Sequence, residues 1–372
     1  MTFAIITHVP HIKHKNQFYG YAPYVREMNI WLKHVDEVCI VAPLGKEHII
    51  TAIDLPYEQQ HIQFKSVPAF SLISISEVLK TFLRLPLLLF TIWRAMKKAD
   101  HIHLRCPGNM GLLGCIVQLF FPKKMKTAKY AGNWDPKSKQ PWTYTLQKWI
   151  LSTPFLTKNM QVLVYGEWPQ QTKNIKPFFT ASFHEHEIPP YLKKSLSETI
   201  HFSFIGTFSP GKRPLYAVKL VAELYKKGLP VHLHMYGDGV LFEEVKHFIV
   251  ENQLEKVVFL YGNQPKEVIQ QHLNESHFLL LPSKSEGWPK VVAEAMCYSS
   301  LPLVTPISCV PYMLNNGERG VLLSLTIAQD VNAILNLVHS EERYHHKVKQ
   351  GYVWSKNYTL ELFEEKIKGL LG

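Results

Sequence analysis

The sequence predicts an α/β protein built from two doubly wound, parallel-sheet domains. Three observations predict it. Short apolar runs alternate with helical segments along the chain, the signature of strand–helix–strand units that close as a parallel sheet. The 372 residues suffice for two cores of ordinary size, and 46% apolar with 19% charged residues is a globular composition. The alternation breaks at Phe183–Glu198, where Pro189-Pro190, Ser195 and Ser197 read as an interdomain linker, and then restarts.

In the first half, Phe3–Thr7 and Val38–Ala42 read as parallel strands with Tyr21–His34 as the helix between them. Ile62–Val67 is a third strand, followed by a helix from Ser76 to Lys98. His101–Leu104, Thr127–Ala131 and Gln161–Tyr165 continue the series. In the second half, strands are expected at Ile200–Gly206, Val231–Tyr236, Val257–Tyr261, His277–Leu281, Leu303–Thr305 and Gly320–Leu323. The clearest helix is Pro214–Lys227: a proline near its start, Leu215, Val218, Val221, Ala222 and Leu224 on one face, and Gly228 just past its end. The tail, Val353–Leu371, is predicted helical. The domains are therefore placed at 1–195 and 196–353, with the helix 354–372 after them.

Charge and cysteine usage narrow the class. Residues 1–195 carry 24 Lys+Arg against 12 Asp+Glu, whereas residues 196–372 carry 17 against 18, so the net positive charge lies in the first half. An anionic membrane surface, an anionic acceptor or nucleic acid would suit it, but no nucleic-acid motif accompanies the charge, and nucleic acid is set aside. Five scattered cysteines without metal-site spacing point to buried, reduced thiols and a cytoplasmic chain. No secretory signal is expected, since Phe3–Thr7 runs into His8 and Pro10. Val78–Trp93, interrupted by Arg84 and Pro86, is too short to span a bilayer and reads as a core helix or as a membrane-surface helix. The interleaved His184, Glu185, His186 and Glu187 read as an exposed polar stretch or as a metal site.

The chemistry concentrates in Ser285–Met296. A buried strand ends at Pro282-Ser283, Trp288-Pro289 turns the chain, and Val291, Val292, Ala295 and Met296 recur at helical spacing. A strand, a short loop and a helix N-terminus collect unpaired N–H groups and the positive end of the helix dipole, which suits a phosphate. Glu286 precedes the helix and Glu294 lies within it; eight helical residues cover roughly 12 Å, about the reach from a sugar across a diphosphate to a ribose. Upstream, Phe204–Arg213 ends a strand at Gly206 and places Lys212 and Arg213 before the next helix. Tyr236-Gly237-Asp238-Gly239 and Tyr261-Gly262-Asn263-Gln264 follow the next two strands.

Together, Pro282-Ser283, Glu286-Gly287, Pro289, Glu294-Ala295-Met296 and Pro302 resemble the donor-site signature of glycosyltransferase family 4, the retaining group 1 family of GT-B fold. The resemblance implies two Rossmann-like domains facing a crevice, a closing helix 354–372 that crosses back to complete the first, and a nucleotide-diphosphate sugar as donor. It implies that Glu286 binds sugar hydroxyls, that Gly287, Trp288, Pro289, Lys290 and Val291 approach the sugar and phosphates, and that Glu294 accepts from the ribose. Lys212 stands where the family lysine belongs. Thr207 occupies the usual arginine position, and Arg213 is the candidate replacement. Tyr236, Gly237 and Asn263 match the turns around phosphate and base. In the first domain Gly20 matches one of two usual glycines, with Tyr19 at the other. Near Gly132 the usual histidine is missing, leaving Asn133 or Asp135 in its place. Further acceptor-side candidates are His11, Arg105 and Trp134, with His103 and Asn109 beside them; a structural role is an equal reading for each.

The expected activity is a metal-independent, retaining transfer of a sugar from a nucleotide-diphosphate sugar to a glycan or lipid-linked acceptor, in surface polysaccharide or glycolipid synthesis. Glu286, Lys212 and Arg213 carry the catalytic expectation, and no cofactor beyond the sugar nucleotide is expected. Peripheral contact with an anionic inner membrane face follows from the basic first half and from Leu79, Phe82, Leu83, Leu87, Phe90 and Trp93 beside Lys80, Arg84, Arg94, Lys97 and Lys98. The rival readings are a sugar-nucleotide epimerase of the same architecture and an inactive transferase-like binding protein.

Overall fold

The computed structural model describes residues 1–45, 50–51, 53–68 and 75–372, without the side chains of residues 75–83. The chain forms two compact units, Met1–Phe178 with Glu364–Gly372, and Phe179–Phe363.

The first unit is built on strands β1 (Thr2–Ile6), β2 (His11–His14), β3 (Gln17–Tyr21), β4 (Glu37–Pro43), β5 (Asp54–Pro56), β6 (Ile62–Val67), β7 (His101–Cys106), β8 (Met125–Tyr130), β9 (Met160–Tyr165) and β10 (Ile175–Phe178). Its helices are α1 (Ala22–Leu32), α2 (Ile75–Lys98), α3 (Asn109–Val117) and α4 (Trp142–Leu151). Seven strands form one sheet in the order β10-β9-β8-β7-β1-β4-β6, every pairing parallel. Strands covered on both faces read as continuous apolar runs, and Phe3 to Ile6 are all fully buried. Two histidines share this interior. His101 Nε2 and His103 Nδ1 lie 3.0 and 2.9 Å from the Thr127 hydroxyl, and burial pushes the first ring down to about 4 and the second well below its ordinary value. Both rings are thus neutral at physiological pH.

Between β1 and α1 the chain builds structure of its own. β2 and β3 form a hairpin that β5 extends into a small antiparallel sheet. Lys15 and Asn16 both take positive φ at its turn, the backbone twist that two-residue hairpins require. The hairpin was hidden because Lys-Asn is a weak turn signal beside Asn-Gly.

The second unit contains β11 (Ile200–Ile205), β12 (Val231–Tyr236), β13 (Val258–Leu260), β14 (Phe278–Leu281), β15 (Leu301–Val304) and β16 (Val321–Leu322). These form a parallel sheet in the order β13-β12-β11-β14-β15-β16. The helices are α5 (Pro214–Lys226), α6 (Phe242–Glu251), α7 (Lys266–Glu275), α8 (Lys290–Cys297), α9 (Val310–Met313), α10 (Ile327–Val338) and α11 (Glu341–Ser355), with α12 (Leu360–Leu371) running into the first unit. On α5, Val218, Val221, Ala222 and Leu224 are buried as the periodicity predicts, Leu215 is only partly buried, and Gly228 takes φ +84° just past the end.

Two boundaries differ from expectation. The break falls at Phe178/Phe179 instead of 195/196, and the stretch predicted as a linker is fastened to the second unit. Buried Lys194 donates to the carbonyls of Leu273, Ser276 and Tyr298 at 3.2, 2.5 and 2.9 Å, and desolvation lowers its pKa to about 7. The Leu192 amide donates to Ser299 Oγ. The tail is two helices, because the chain turns between Ser355 and Leu360, and only Glu364–Gly372 joins the first unit.

α2 divides the expected amphipathic face. Leu88, Ile92 and Met96 pack into the core, whereas Leu87 and Phe90 are 66% and 56% exposed. Trp93 is partly buried against that core, with Lys97 over its ring. The side chains of Leu79, Lys80, Phe82 and Leu83 lie outside the described residues. Among the described residues no helix is long and apolar enough to cross a membrane. All five cysteines are buried and free.

Candidate functional site

At the carboxyl ends of β11, β12 and β13 the connecting loops are laced together. Gly206 N donates to Tyr236 O, Phe208 N to Asp238 O, and Gly237 N to Gly262 O, at 2.8–3.0 Å. Gly237 has φ +127°, and a Cβ there would lie 2.1 Å from the Gly206 carbonyl oxygen, so the close approach of these two backbones requires glycine. Gly239, φ +155°, is likewise pressed on the Phe208 carbonyl. Strand ends of an open α/β sheet are where ligands collect, and this crossing brings bare backbone to that edge.

The loop after β14 joins the same place. Lys284 N donates to Gly211 O at 2.7 Å, tying it to the loop after β11. Across this junction Lys212 Nζ meets Glu286 Oε1 at 2.5 Å, with the lysine 28% exposed and the carboxylate 10%. Arg213, in left-handed backbone geometry at φ 52°, donates from Nη1 to Pro282 O at 3.3 Å. Thr207 is exposed one residue beyond Gly206. From the other side, Thr305 and Ser308 hydroxyls donate to the carbonyls of Ser283 and Gly287, and Cys309 Sγ also donates to Gly287 O. The Ser283 and Gly287 carbonyls are thereby committed to the protein.

Pro289 stands at the N-cap of α8, with Lys290 as its first residue. Val292, Ala293, Ala295, Met296 and Cys297 are buried, while Val291 is only half-buried, one position off the expected core face. Trp288 is buried and packs on Phe179, Trp354 and Tyr358, which anchors the turn. Trp288 therefore holds the loop instead of offering an open face. Glu294 is half-buried and accepts a hydrogen bond from the Ser182 hydroxyl. Ser182 was missed in the sequence because it lies 112 residues away in a stretch without a motif. Tyr236 is buried with its ring stacked on Tyr261, centroids 4.9 Å apart, and its hydroxyl has no hydrogen-bond partner among the described residues. Asn263 is exposed beside them.

The first unit carries a second group of polar residues near the ends of β1 and β7. Arg105 donates from Nη1 to Glu27 Oε1 at 3.1 Å, faces the Tyr24 ring at 5.3 Å, and its side chain is 13% exposed. A Cβ on Gly108, φ +155°, would lie 2.7 Å from His8 Nδ1. Glu27 and His8 carried no sequence signal; only the fold sets them near Arg105 and Gly108. Gly20 packs against Val25 and the His11 ring. His11 is fully buried, with Nδ1 2.8 Å from Val9 O and Nε2 2.8 Å from the Tyr57 hydroxyl, and burial pushes it down to about 4. Asn133 Oδ1 accepts from Asp135 N at 2.9 Å, the local bond of an Asx turn. Trp134 is buried edge-on to Tyr130 at 4.8 Å. His11 and Trp134 thus sit in packing, and Asn133 shapes a turn. His184 Nδ1, 2.7 Å from Glu361 Oε1, forms an exposed group with His186.

Residues 192–354 match the model of the family described as glycosyl transferases group 1. The lipopolysaccharide 1,6-galactosyltransferase of Salmonella typhimurium is 32% identical over 145 residues, 36% of this chain and 40% of that protein. The chain's matches span less than half the length of the curated relatives. Among solved structures, the lipopolysaccharide outer core galactosyltransferase WaaB in its apo form superposes with a TM-score of 0.69 at 18% identity, covering 100% of this chain and 99% of that one. HepE of Anabaena, solved with UDP and glucose, gives 0.66 at 13% identity over 100% and 99%. Likeness at these identities shows the fold, which is GT-B with its two Rossmann-like domains.

Proposed function

We propose, for a chain whose residues 192–354 belong to the glycosyl transferases group 1 family, that the protein transfers a sugar from a nucleotide-diphosphate donor with retention of configuration, in the manner of glycosyltransferase family 4. The observation that carries this reading is the Lys212–Glu286 pair beside the Gly206–Gly237 crossing. It puts a cation, a carboxylate and exposed backbone at one strand-end edge, the set of groups a sugar diphosphate needs.

In this reading Lys212 and Arg213 neutralise the diphosphate, Glu286 accepts from the sugar hydroxyls, and Glu294 accepts from the ribose. The bond between the anomeric carbon and the phosphate oxygen breaks while the acceptor oxygen bonds to the same face of that carbon. The acceptor proton passes to a donor phosphate oxygen, so no separate protein base is required. Charge grows on the leaving diphosphate, and fixed cations there act more strongly on the transition state than on bound substrate. Lys212 leaves Glu286 as the phosphate arrives, which frees the carboxylate for the sugar. UDP in a structural neighbour and galactosyl transfer to lipopolysaccharide by a relative support a nucleoside diphosphate leaving group and a glycan or lipid-linked acceptor. Exposed Leu87 and Phe90 in the basic first half support peripheral contact with an anionic membrane, with α2 as the contacting element.

Thermal-shift screening of nucleotide sugars tests the donor, since a ligand of the native state raises stability by mass action. Nuclear magnetic resonance of the product then reads the anomeric configuration. Absence of any shift with nucleoside diphosphates would overturn the reading, and conversion of the donor without acceptor would identify an epimerase. Flotation with anionic and neutral liposomes tests the membrane contact; equal, negligible binding removes it.

A further inference from the structure

We propose that His201, His232 and His234 form a binding site for a divalent transition metal ion of the zinc–nickel–copper class, at the end of the second unit's sheet opposite the donor edge. The register builds it. In the parallel β11–β12 pair His201 lies directly across from His232, and His234 lies across from Ser203. Partners in register point to the same side of a sheet, and residues two apart on one strand share a face. All three imidazoles therefore stand together on one face. His201 and His232 are the second residues of their strands, whereas Gly206 and Gly237 follow the strands' last residues.

One ring nitrogen from each histidine lies within 4.8 Å of the other two. Zinc–nitrogen bonds of about 2.0–2.1 Å in a tetrahedral shell put ligand nitrogens roughly 3.3 Å apart. His201 Nδ1 and His234 Nε2 are already 3.1 Å apart. Three imidazoles with an open fourth position are a donor set suited to zinc, nickel or copper and poorly suited to magnesium or calcium.

The surroundings have the form of an outer shell. His234 Nδ1 is 3.0 Å from the Tyr261 hydroxyl, which fixes the ring and leaves Nε2 directed at the cluster. His277, stacked on His201, is committed elsewhere: its Nδ1 accepts from the His201 amide and its Nε2 lies 2.9 Å from Ser195 O. It supports the site without ligating. Glu275, 3.7 Å from His272 on α7, adds negative charge near the His234 ring, which lies 6.0 Å from His272. Metal entry replaces the His201–His234 hydrogen bond. His201 then carries its hydrogen on Nε2, a tautomer change without net proton release.

Zinc chloride alone, titrated calorimetrically into chelator-treated full-length protein, tests the site. The expected result is one equivalent bound, with a rise in melting temperature. His232→Ala and His234→Ala should each weaken it by at least about tenfold, while the double variant His184→Ala, His186→Ala keeps the affinity. Unchanged affinity in the first two variants, loss in the double variant, or no binding to the parent protein would each overturn the proposal. Melting of the metal-free variants checks that they fold. If they do not, cobalt absorption of the parent protein decides: intense tetrahedral bands support the site, and a weak octahedral spectrum overturns it.

Discussion

Lys212 Nζ and Glu286 Oε1 meet at 2.5 Å across 74 residues of chain and join, side chain to side chain, the two loops that the proposed chemistry uses. The pair sets the expected behaviour of its members. Lys212→Ala and Arg213→Ala should each lower turnover and weaken nucleoside diphosphate binding. Glu286→Ala should lower turnover with nearly unchanged affinity for the free diphosphate, as measured by calorimetry. Equal losses of diphosphate affinity in the lysine and glutamate variants would remove the division of roles. Thr207→Arg should partly restore turnover to Arg213→Ala; no recovery in a folded protein would leave Arg213 as a loop brace on Pro282 O.

Glu294 should behave differently from Glu286. Glu294→Ala should cost about 1–3 kcal/mol of binding, for free nucleoside diphosphate as much as for the sugar nucleotide, because a hydrogen bond to a charged acceptor is lost. Ser182→Ala, which removes the hydroxyl that donates to this carboxylate, should change affinity less. Unaltered diphosphate affinity in Glu294→Ala would rule out the ribose role.

Two glycines provide a backbone test. Gly237→Ala should destabilise the protein by more than about 1 kcal/mol, since its φ of +127° and the carbonyl 2.1 Å from the added carbon leave no relaxed conformation. Gly211→Ala, where the nearest atom would be Ser209 Oγ at 3.8 Å, should be tolerated. Denaturant melts compare them, and equal midpoints would contradict the crossing.

The buried histidines predict a direction for acid unfolding. His11 and His101 are pushed down to about 4 by burial, so between pH about 6.5 and 4 the unfolded chain takes up protons that the folded chain refuses. Their contribution is full above pH 6.5 and is lost as the pH falls toward 4, at about 1.4 kcal/mol per pH unit for each ring. His11→Asn and His101→Asn together should flatten stability against pH in that window, whatever they do to stability at pH 8. An unchanged slope would mean the rings titrate normally.

Much of the fold was legible because parallel strands buried on both faces must be apolar throughout. Phe3–Ile6 and Phe278–Leu281 announce themselves this way, and Gly228 and Pro214 mark their helix ends through fixed backbone preferences. The hairpin at Lys15-Asn16 escaped because an antiparallel sheet this small needs no sustained pattern. The linker reading failed at Lys194 because proline and serine content reports local flexibility, whereas three carbonyls from two distant segments, the end of α7 and Tyr298, hold that lysine.

The sequence by itself determined the two parallel sheets and the residue types at the donor edge, since strand burial, helix termini and glycine turns are local properties. The tertiary structure alone decided that Lys212 reaches Glu286, that Ser182 occupies Glu294, that Trp288 goes to packing, and that His201 faces His232. Those outcomes depend on strand order and register, which bring together residues tens to more than a hundred positions apart and leave no periodic trace in either partner's own neighbourhood.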